Sequence, residues 1–177
     1  VAEGLYRACA DRLLARDGLI VGLGGGATCD LAGFLAGTWK RGTRLALLPS
    51  TLLACVDAAL GGKTGVDLPY GKNLVGVYQP AELVVIDPEL LRTCATRDVR
   101  AGLAESIKHG LIASEAHLAF HERHVGAVLD LEPDTLSRLI ARNVEIKAEV
   151  VARDPYELGG ERMVLNFGHT LGHAIET

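Results

Sequence analysis

LIVGLGGGATCDLAGFLAGTW, residues 19–39, is the stretch whose reading decides the fold. Residues 19–23 are a continuous apolar run, Gly24, Gly25 and Gly26 interrupt it, and helical spacing of apolar residues resumes from Ala27. Strand, glycine turn and helix together bring backbone N–H groups and a helix N-terminus up to a phosphate. The triplet is not the GxGxxG dinucleotide fingerprint, and ordinary tight turns use such glycines too. Its place between a buried-type strand and an apolar helix favours a phosphate or pyrophosphate role. Asp30, in the first turns of that helix, reads either as a carboxylate facing the helix dipole or as a nucleotide contact.

Upstream, residues 1–17 read as a helix with Leu5, Ala8, Leu13 and Leu14 on an imperfect apolar face, ended by Gly18. Downstream, RLALLP at 44–49 reads as a second strand running into Ser50, Thr51 and the apolar helical segment TLLACVDAAL, which the hydroxyl pair caps. Asp57 lies inside that apolar run and needs a donor, for which Lys63, just past Gly61 and Gly62, is the candidate. Residues 65–78 read as a hairpin around Pro69 and Gly71, with Lys72 and Asn73 after its turn. Taken alone, Lys72 reads as a solvated lysine. LVVID at 83–87 is a third buried-type strand closed by Pro88. Three apolar strands separated by helices or loops predict an α/β fold with a parallel sheet, as in half of a Rossmann-like nucleotide-binding domain.

Beyond residue 95 only helical patterns remain, so residues 1–95 and 96–177 read as parts of two domains. In the helix at 99–113, Glu105 and His109 have metal-pair spacing, while Glu105 and Lys108 have the spacing of a surface ion pair. His117, His121 and His124 sit in a more polar stretch and read as surface or boundary residues. A long helix runs from Pro133 through Val151 and carries Lys147, which nothing local distinguishes from a solvated lysine. In RMVLNFGHTLGH, residues 162–173, a helix places Arg162, Asn166, His169 and His173 on one face. Two histidines four apart bind one metal, or divide between a metal and a substrate, and an acidic ligand is then required from upstream.

The 177 residues are 49% hydrophobic with mean hydropathy +0.23, which marks a packed globular protein. Eighteen Lys and Arg against 22 Asp and Glu give a net charge of −4, which gives no support to a nucleic-acid or membrane partner. Cys9, Cys29, Cys55 and Cys94 are widely spaced without CxxC, the usage of a reduced cytoplasmic protein. No apolar run reaches membrane-spanning length and no basic-then-apolar leader precedes the first helix. A start without methionine and a stop directly after a functional-looking helix lead us to expect a portion of a longer chain, with ligands supplied from beyond its ends.

Five ordered segments, GLGGGATCDLAGFLAGTWKRG, LPSTLLACVDAALGGKTGVDLPYGKN, AGLAESIKHGLI, EIKAEVV and LNFGHTLGHAIE, closely resemble the 3-dehydroquinate synthases of the sugar-phosphate cyclase superfamily. The resemblance covers essentially the whole chain as the middle of a longer enzyme. It implies a Rossmann-like domain followed by a helical metal- and substrate-binding domain. It also implies that Gly24 to Gly26 embrace the NAD pyrophosphate, with Asp30 beside it. Ser50 and Thr51 then touch the cofactor, at positions where the family usually has two threonines. Asp57, Lys63, Lys72 and Asn73 lie between cofactor and substrate. Glu105 and His169 become ligands of a divalent metal, zinc or alternatively cobalt, with a third histidine expected after this helix. Lys108, Lys147, Arg162, Asn166 and His173 become substrate contacts, with Lys108, Arg162, Asn166 and His173 closest to the chemistry. Arg41 matches an arginine reaching the neighbouring subunit's site, hence a homodimer. Asp67 stands where the family commonly has Asn, GVYQP is one residue shorter than usual, and the segment from Lys147 to Arg162 is one longer.

The substrate implied is a phosphorylated seven-carbon keto acid, 3-deoxy-D-arabino-heptulosonate 7-phosphate. The implied sequence is oxidation by NAD, phosphate elimination, reduction, ring opening and intramolecular aldol closure. Other sugar-phosphate cyclases, such as valiolone or inosose synthases, and a plain metal-dependent polyol dehydrogenase remain the alternatives. Retention of GGKT and GKN favours dehydroquinate synthase.

Overall fold

In the computed structural model, which describes residues 1–176 apart from the side chains of Asn73, Leu171, His173, Ala174 and Glu176, helix α1 (Ala2–Asp11) leads into strand β1 (Leu19–Gly24) and helix α2 (Gly26–Thr38). Strand β2 (Arg44–Pro49) pairs parallel with β1, Leu19 opposite Arg44. After the antiparallel hairpin of β3 (Lys63–Leu68) and β4 (Gly71–Tyr78), strand β5 (Leu83–Val84) returns to the other edge of β2, giving the order β1-β2-β5. The expected parallel sheet and hairpin are both present. The third strand is shorter than LVVID suggests, because only Leu83 and Val84 pair with β2.

Small residues let α2 lie close on the sheet: Cys29, Ala32 and Ala36 pack with Leu45 and Leu47 in one core. On the opposite side of the sheet Val21, Leu23 and Leu83 are exposed. A second core gathers Leu91, Val99, Leu103, Val128, Leu136 and Leu139. These come largely from helices α3 (Thr96–Ala113), α4 (Glu115–Leu129) and α5 (Pro133–Arg153). Short helix α6 (His169–Glu176) follows.

The segment after β2 belongs to both cores. Leu52, Cys55 and Val56 enter the helical core, and Ala54 and Ala59 enter the sheet core. Ala54–Ala58 is a π-helical turn closed by Ala59 N–H donating to Ala54 O at 3.0 Å. Such turns widen a helix by one residue and recur at functional sites. Helix α3 approaches this segment so closely that a Cβ on Gly102 would lie 2.6 Å from Leu53 N and 2.7 Å from Leu52 Cβ. Gly102→Ala is therefore expected to lower stability by about 1–3 kcal/mol through overpacking, read as a fall in the urea midpoint at unchanged slope.

Three sequence expectations are corrected. Helix α1 stops at Asp11 rather than continuing to Gly18, because Leu13 takes a left-handed conformation (φ 52°) and the Trp39 indole holds Leu14 O at 3.1 Å. The stretch 162–173 is not one helix. A 3-10 turn at Glu161–Asn166 gives way at Phe167 and at Gly168 (φ 82°) before α6, so the polar row is not continuous. His117 and His121 are buried rather than superficial, because Ser106 lies between their rings and bonds both.

Burial, with help from the neighbouring His121, lowers the His117 imidazole from 6.5 to about 4, and burial lowers His121 as well. The unfolded chain takes up these protons as pH falls through its ordinary histidine range, whereas the fold resists both and holds His117 neutral until near pH 4. Stability is consequently expected to fall as pH drops through that window. Urea melts at descending pH would check this, and a His117→Gln variant should show a shallower decline.

Candidate functional site

The glycine turn meets the end of β2 at the C-terminal edge of the parallel strands, where α/β sheets receive ligands. Ser50 N–H donates to Gly24 O at 2.8 Å, and Gly25, the N-cap of α2, abuts Thr51. Thr51 Oγ1 accepts from Ala54 N at 3.3 Å, the capping role expected of the hydroxyl pair. Open backbone N–H groups at the start of α2 leave this corner suited to an anion.

Beside it lies a cavity of about 600 Å³ whose charged lining is Asp30, Asp57, Lys63, Lys147, Glu157 and Arg162. Three cations thus face three carboxylates. Burial, followed by the nearby Asp57, raises the Asp30 carboxyl to about 6, against the pull of Lys147. An adjoining apolar cavity of about 320 Å³, walled by Leu60, Val144, Val151 and Pro155, also reaches Lys147.

The donor of Asp57 is Lys147, not Lys63. Lys147, 5% exposed, donates to Asp57 Oδ1 at 2.6 Å and also to the Asp57 carbonyl. Helix α5 packs directly over the π turn, which brings Lys147 to Asp57, whereas β3 aims Lys63 across to Glu157. Burial opposes charge on both Asp57 and Lys147. The ammonium nevertheless holds the Asp57 carboxyl below its ordinary value, while burial leaves Lys147 lowered.

Arg162 is 2% exposed, and its guanidinium donates to Pro155 O at 2.8 Å and Gly61 O at 3.0 Å. Gly61 (φ +90°) permits that approach, since a Cβ there would sit 2.5 Å from Arg162 Nη2. The loop before Arg162 winds around Asp154, whose carboxylate accepts from Leu158 N, Gly159 N and Arg162 N at 2.8, 3.1 and 3.3 Å. It carries Glu157, in a left-handed conformation (φ 57°), to an ion pair with Lys63 and to Asn166 Nδ2 at 3.3 Å. Glu157 and Asp154 are not among the residues singled out from the sequence, where they lie in the polar stretch RDPYELGGE. The 94 positions between Lys63 and Glu157 leave no spacing signal that would reveal the pair.

Glu105 and Lys108 form an ion pair on α3, and Lys108 Nζ also donates to Leu165 O at 2.8 Å. Glu105 Oε1 lies 3.2 Å from His169 Nε2. Two ligands of one tetrahedral zinc stand about 3.3 Å apart, so this carboxylate and imidazole fit a shared divalent ion. The pair lies close to the cavity wall, because oxygens of Asp57 and Glu105 and a ring nitrogen of His109 all lie within 4.8 Å of one another. Lys72 is exposed at the start of β4, and Arg41 is exposed in the left-handed turn after α2 (φ 64°). Neither is among the cavity's lining residues. The side chains of Asn73 and His173 lie outside the described residues.

Two family models together match the whole chain: 3-dehydroquinate synthase N-terminal over residues 1–101 and 3-dehydroquinate synthase C-terminal over residues 102–177. The chain is 52% identical over 175 residues to a 3-dehydroquinate synthase of Symbiobacterium thermophilum, covering 99% of this chain and 49% of that protein. It is 51% identical over 170 residues to one from Xanthomonas campestris pv. campestris, covering 96% and 46%. It therefore spans about half the length of these relatives. Among solved structures, ValA, the 2-epi-5-epi-valiolone synthase of Streptomyces hygroscopicus subsp. jinggangensis with NAD+ and Zn2+ bound, superposes with a TM-score of 0.90 at 29% identity, over 95% of this chain and 47% of that one. A 2-deoxy-scyllo-inosose synthase complexed with carbaglucose-6-phosphate, NAD+ and Co2+ gives 0.91 at 35%, over 99% and 47%.

Proposed function

The chain belongs to the 3-dehydroquinate synthase family, and on that premise we propose that it forms the central part of an enzyme converting 3-deoxy-D-arabino-heptulosonate 7-phosphate to 3-dehydroquinate and phosphate. The observation that carries this reading is the metal-type pair of Glu105 and His169 close to Asp57 on the wall of a cavity lined by Lys63, Lys147 and Arg162. When bound, NAD supplies a transient hydride acceptor and the divalent metal, zinc or cobalt, polarises substrate oxygens.

Gly24, Gly25, Gly26, Asp30, Ser50 and Thr51 hold NAD at the edge of the sheet, with Asp57, Lys63 and Lys72 toward the substrate. Lys147, Arg162, Lys72 and Asn73 receive the phosphate through charge-assisted bonds. Because the cavity's cations already face carboxylates, the entering dianion competes with Asp57 and Glu157 for them. Asn166 and Lys108 orient ring oxygens, and His173 orients substrate or relays a proton. Residues 1–95 serve as part of the NAD-binding domain and 96–177 as part of the metal- and substrate-binding domain. The enzyme is a cytoplasmic homodimer in this reading, a view supported by the exposed Arg41 and the free thiols of all four cysteines.

The test is phosphate release by the full-length enzyme from the keto acid phosphate, without accumulation of NADH. The likeness to valiolone and inosose synthases favours one alternative, another cyclase of the same fold. Release from heptulose 7-phosphate or glucose 6-phosphate, but not from the keto acid, would transfer the assignment to it. Steady NADH accumulation would indicate a polyol dehydrogenase.

A further inference from the structure

Behind Glu105 and Lys108 lies a buried chain of polar side chains. Asn143, fully buried on α5, donates from Nδ2 to Ser106 Oγ at 2.6 Å and Leu139 O at 2.7 Å. Those two acceptors fix the amide, so Asn143 Oδ1 faces His109 Nδ1 at 2.8 Å and that nitrogen carries the hydrogen. The other end closes consistently. His121 Nδ1 donates to His117 O at 2.7 Å, its Nε2 accepts from Ser106 at 2.8 Å, and His117 Nε2 donates to Ser106 at 3.2 Å. Every member is a neutral side chain with one permitted role.

The consequence falls on His109, which is 0% exposed. Its Nε2 is a bare lone pair, and with Glu105 Oε2 it is one of the two buried side-chain polar atoms without a hydrogen bond among the described residues. It cannot donate to the neighbouring carboxylates of Asp57 and Glu105. What it can take is a donor, and the buried donor on the same helix is the Lys108 ammonium, 7% exposed. Lys108 is at present held by Leu165 O and by the charge of Glu105. A divalent ion on Glu105 removes that counter-charge and leaves the buried ammonium with Leu165 O alone, a loss that is strongly destabilising.

We propose that His109 is a positioning residue which, held by Asn143 with its Nε2 lone pair toward Glu105 and Asp57, accepts the Lys108 ammonium when a divalent cation takes Glu105. The exchange moves no proton: Lys108 gives up its ion pair with the carboxylate, donates to the imidazole and stays in the site. This rests on the reading of Glu105 as a metal ligand. A second metal on Asp57 and His109 fits less well, because Lys147 already neutralises the one carboxylate of that pair.

The test is titration of the full-length enzyme with Co2+ alone, reading affinity and the visible cobalt spectrum. His109→Ala is expected to weaken binding about tenfold, the low end for a group beyond the ligand shell, with an unchanged spectrum at saturation. His109→Gln, which keeps an acceptor, should recover most of the loss. Lys108→Met should abolish the effect of His109→Ala, because no ammonium then needs relocating. Unaltered affinity in His109→Ala would overturn the proposal, as would an equal loss with and without Lys108. A changed cobalt spectrum would overturn it by making His109 a ligand. Failure of the unmutated enzyme to bind Co2+ would instead remove the premise that Glu105 is a metal ligand.

Discussion

Asp57→Asn is expected to destabilise the fold by about 3 kcal/mol at neutral pH, the low end for breaking a buried ion pair. The amide keeps the shape of the carboxylate but not its charge, leaving Lys147, 5% exposed, with Lys108 and Arg162 as further cations nearby. The deficit should depend on pH in a particular sense. Burial already lowers Lys147 from its ordinary value, and losing Asp57 lowers it further. The unfolded chain then binds the lysine proton more tightly than the fold does, so the stability of the variant should climb as pH rises toward the usual lysine range. Urea melts of both proteins at about pH 7 and pH 9 would test this. A deficit constant across that range would show that the lysine remains charged and is compensated elsewhere.

His169→Ala in the full-length enzyme is expected to weaken metal binding by more than about a hundredfold, beyond the range typical of outer-shell partners. The reason is the pairing with Glu105 at 3.2 Å. In contrast, His173→Ala is expected to leave the metal bound and to lower turnover. Metal analysis after dialysis against chelator distinguishes the two. Similar losses in both variants would sink this division of labour between the histidines.

The sheet was legible because its signals are local: apolar runs of strand length, a glycine break and a following apolar helix. The pairing of side chains was not. Asp57 announces its need for a donor by lying in an apolar run, but Lys63 and Lys147 are equally lysines, and only the packing of α5 over the π turn selects between them. Arg162, Asn166 and His169 appeared as one helical row because their spacing is helical, while a 3-10 turn ending at Phe167 and Gly168 breaks the row. His117 and His121 looked superficial because their neighbours in sequence are polar. Their burial follows from Ser106 and Asn143, which belong to other helices.

The π turn at Ala54–Ala58 also bears on which length changes the chain can absorb. An ordinary helical turn needs one residue fewer over the same path. A single deletion within 54–58 could therefore close as an α-turn, with the main chain nearly continuous on either side. It would nevertheless move the residues of the turn beyond the deletion by one position, a rotation of about 100° about the axis, since an α-helix advances 3.6 residues per turn. Asp57 would swing away from Lys147, and the residues that enter the sheet core would no longer be in phase with those that enter the helical core. The extra residue thus acts as a phase adjuster between two packing lattices, so this segment should not tolerate a change in number.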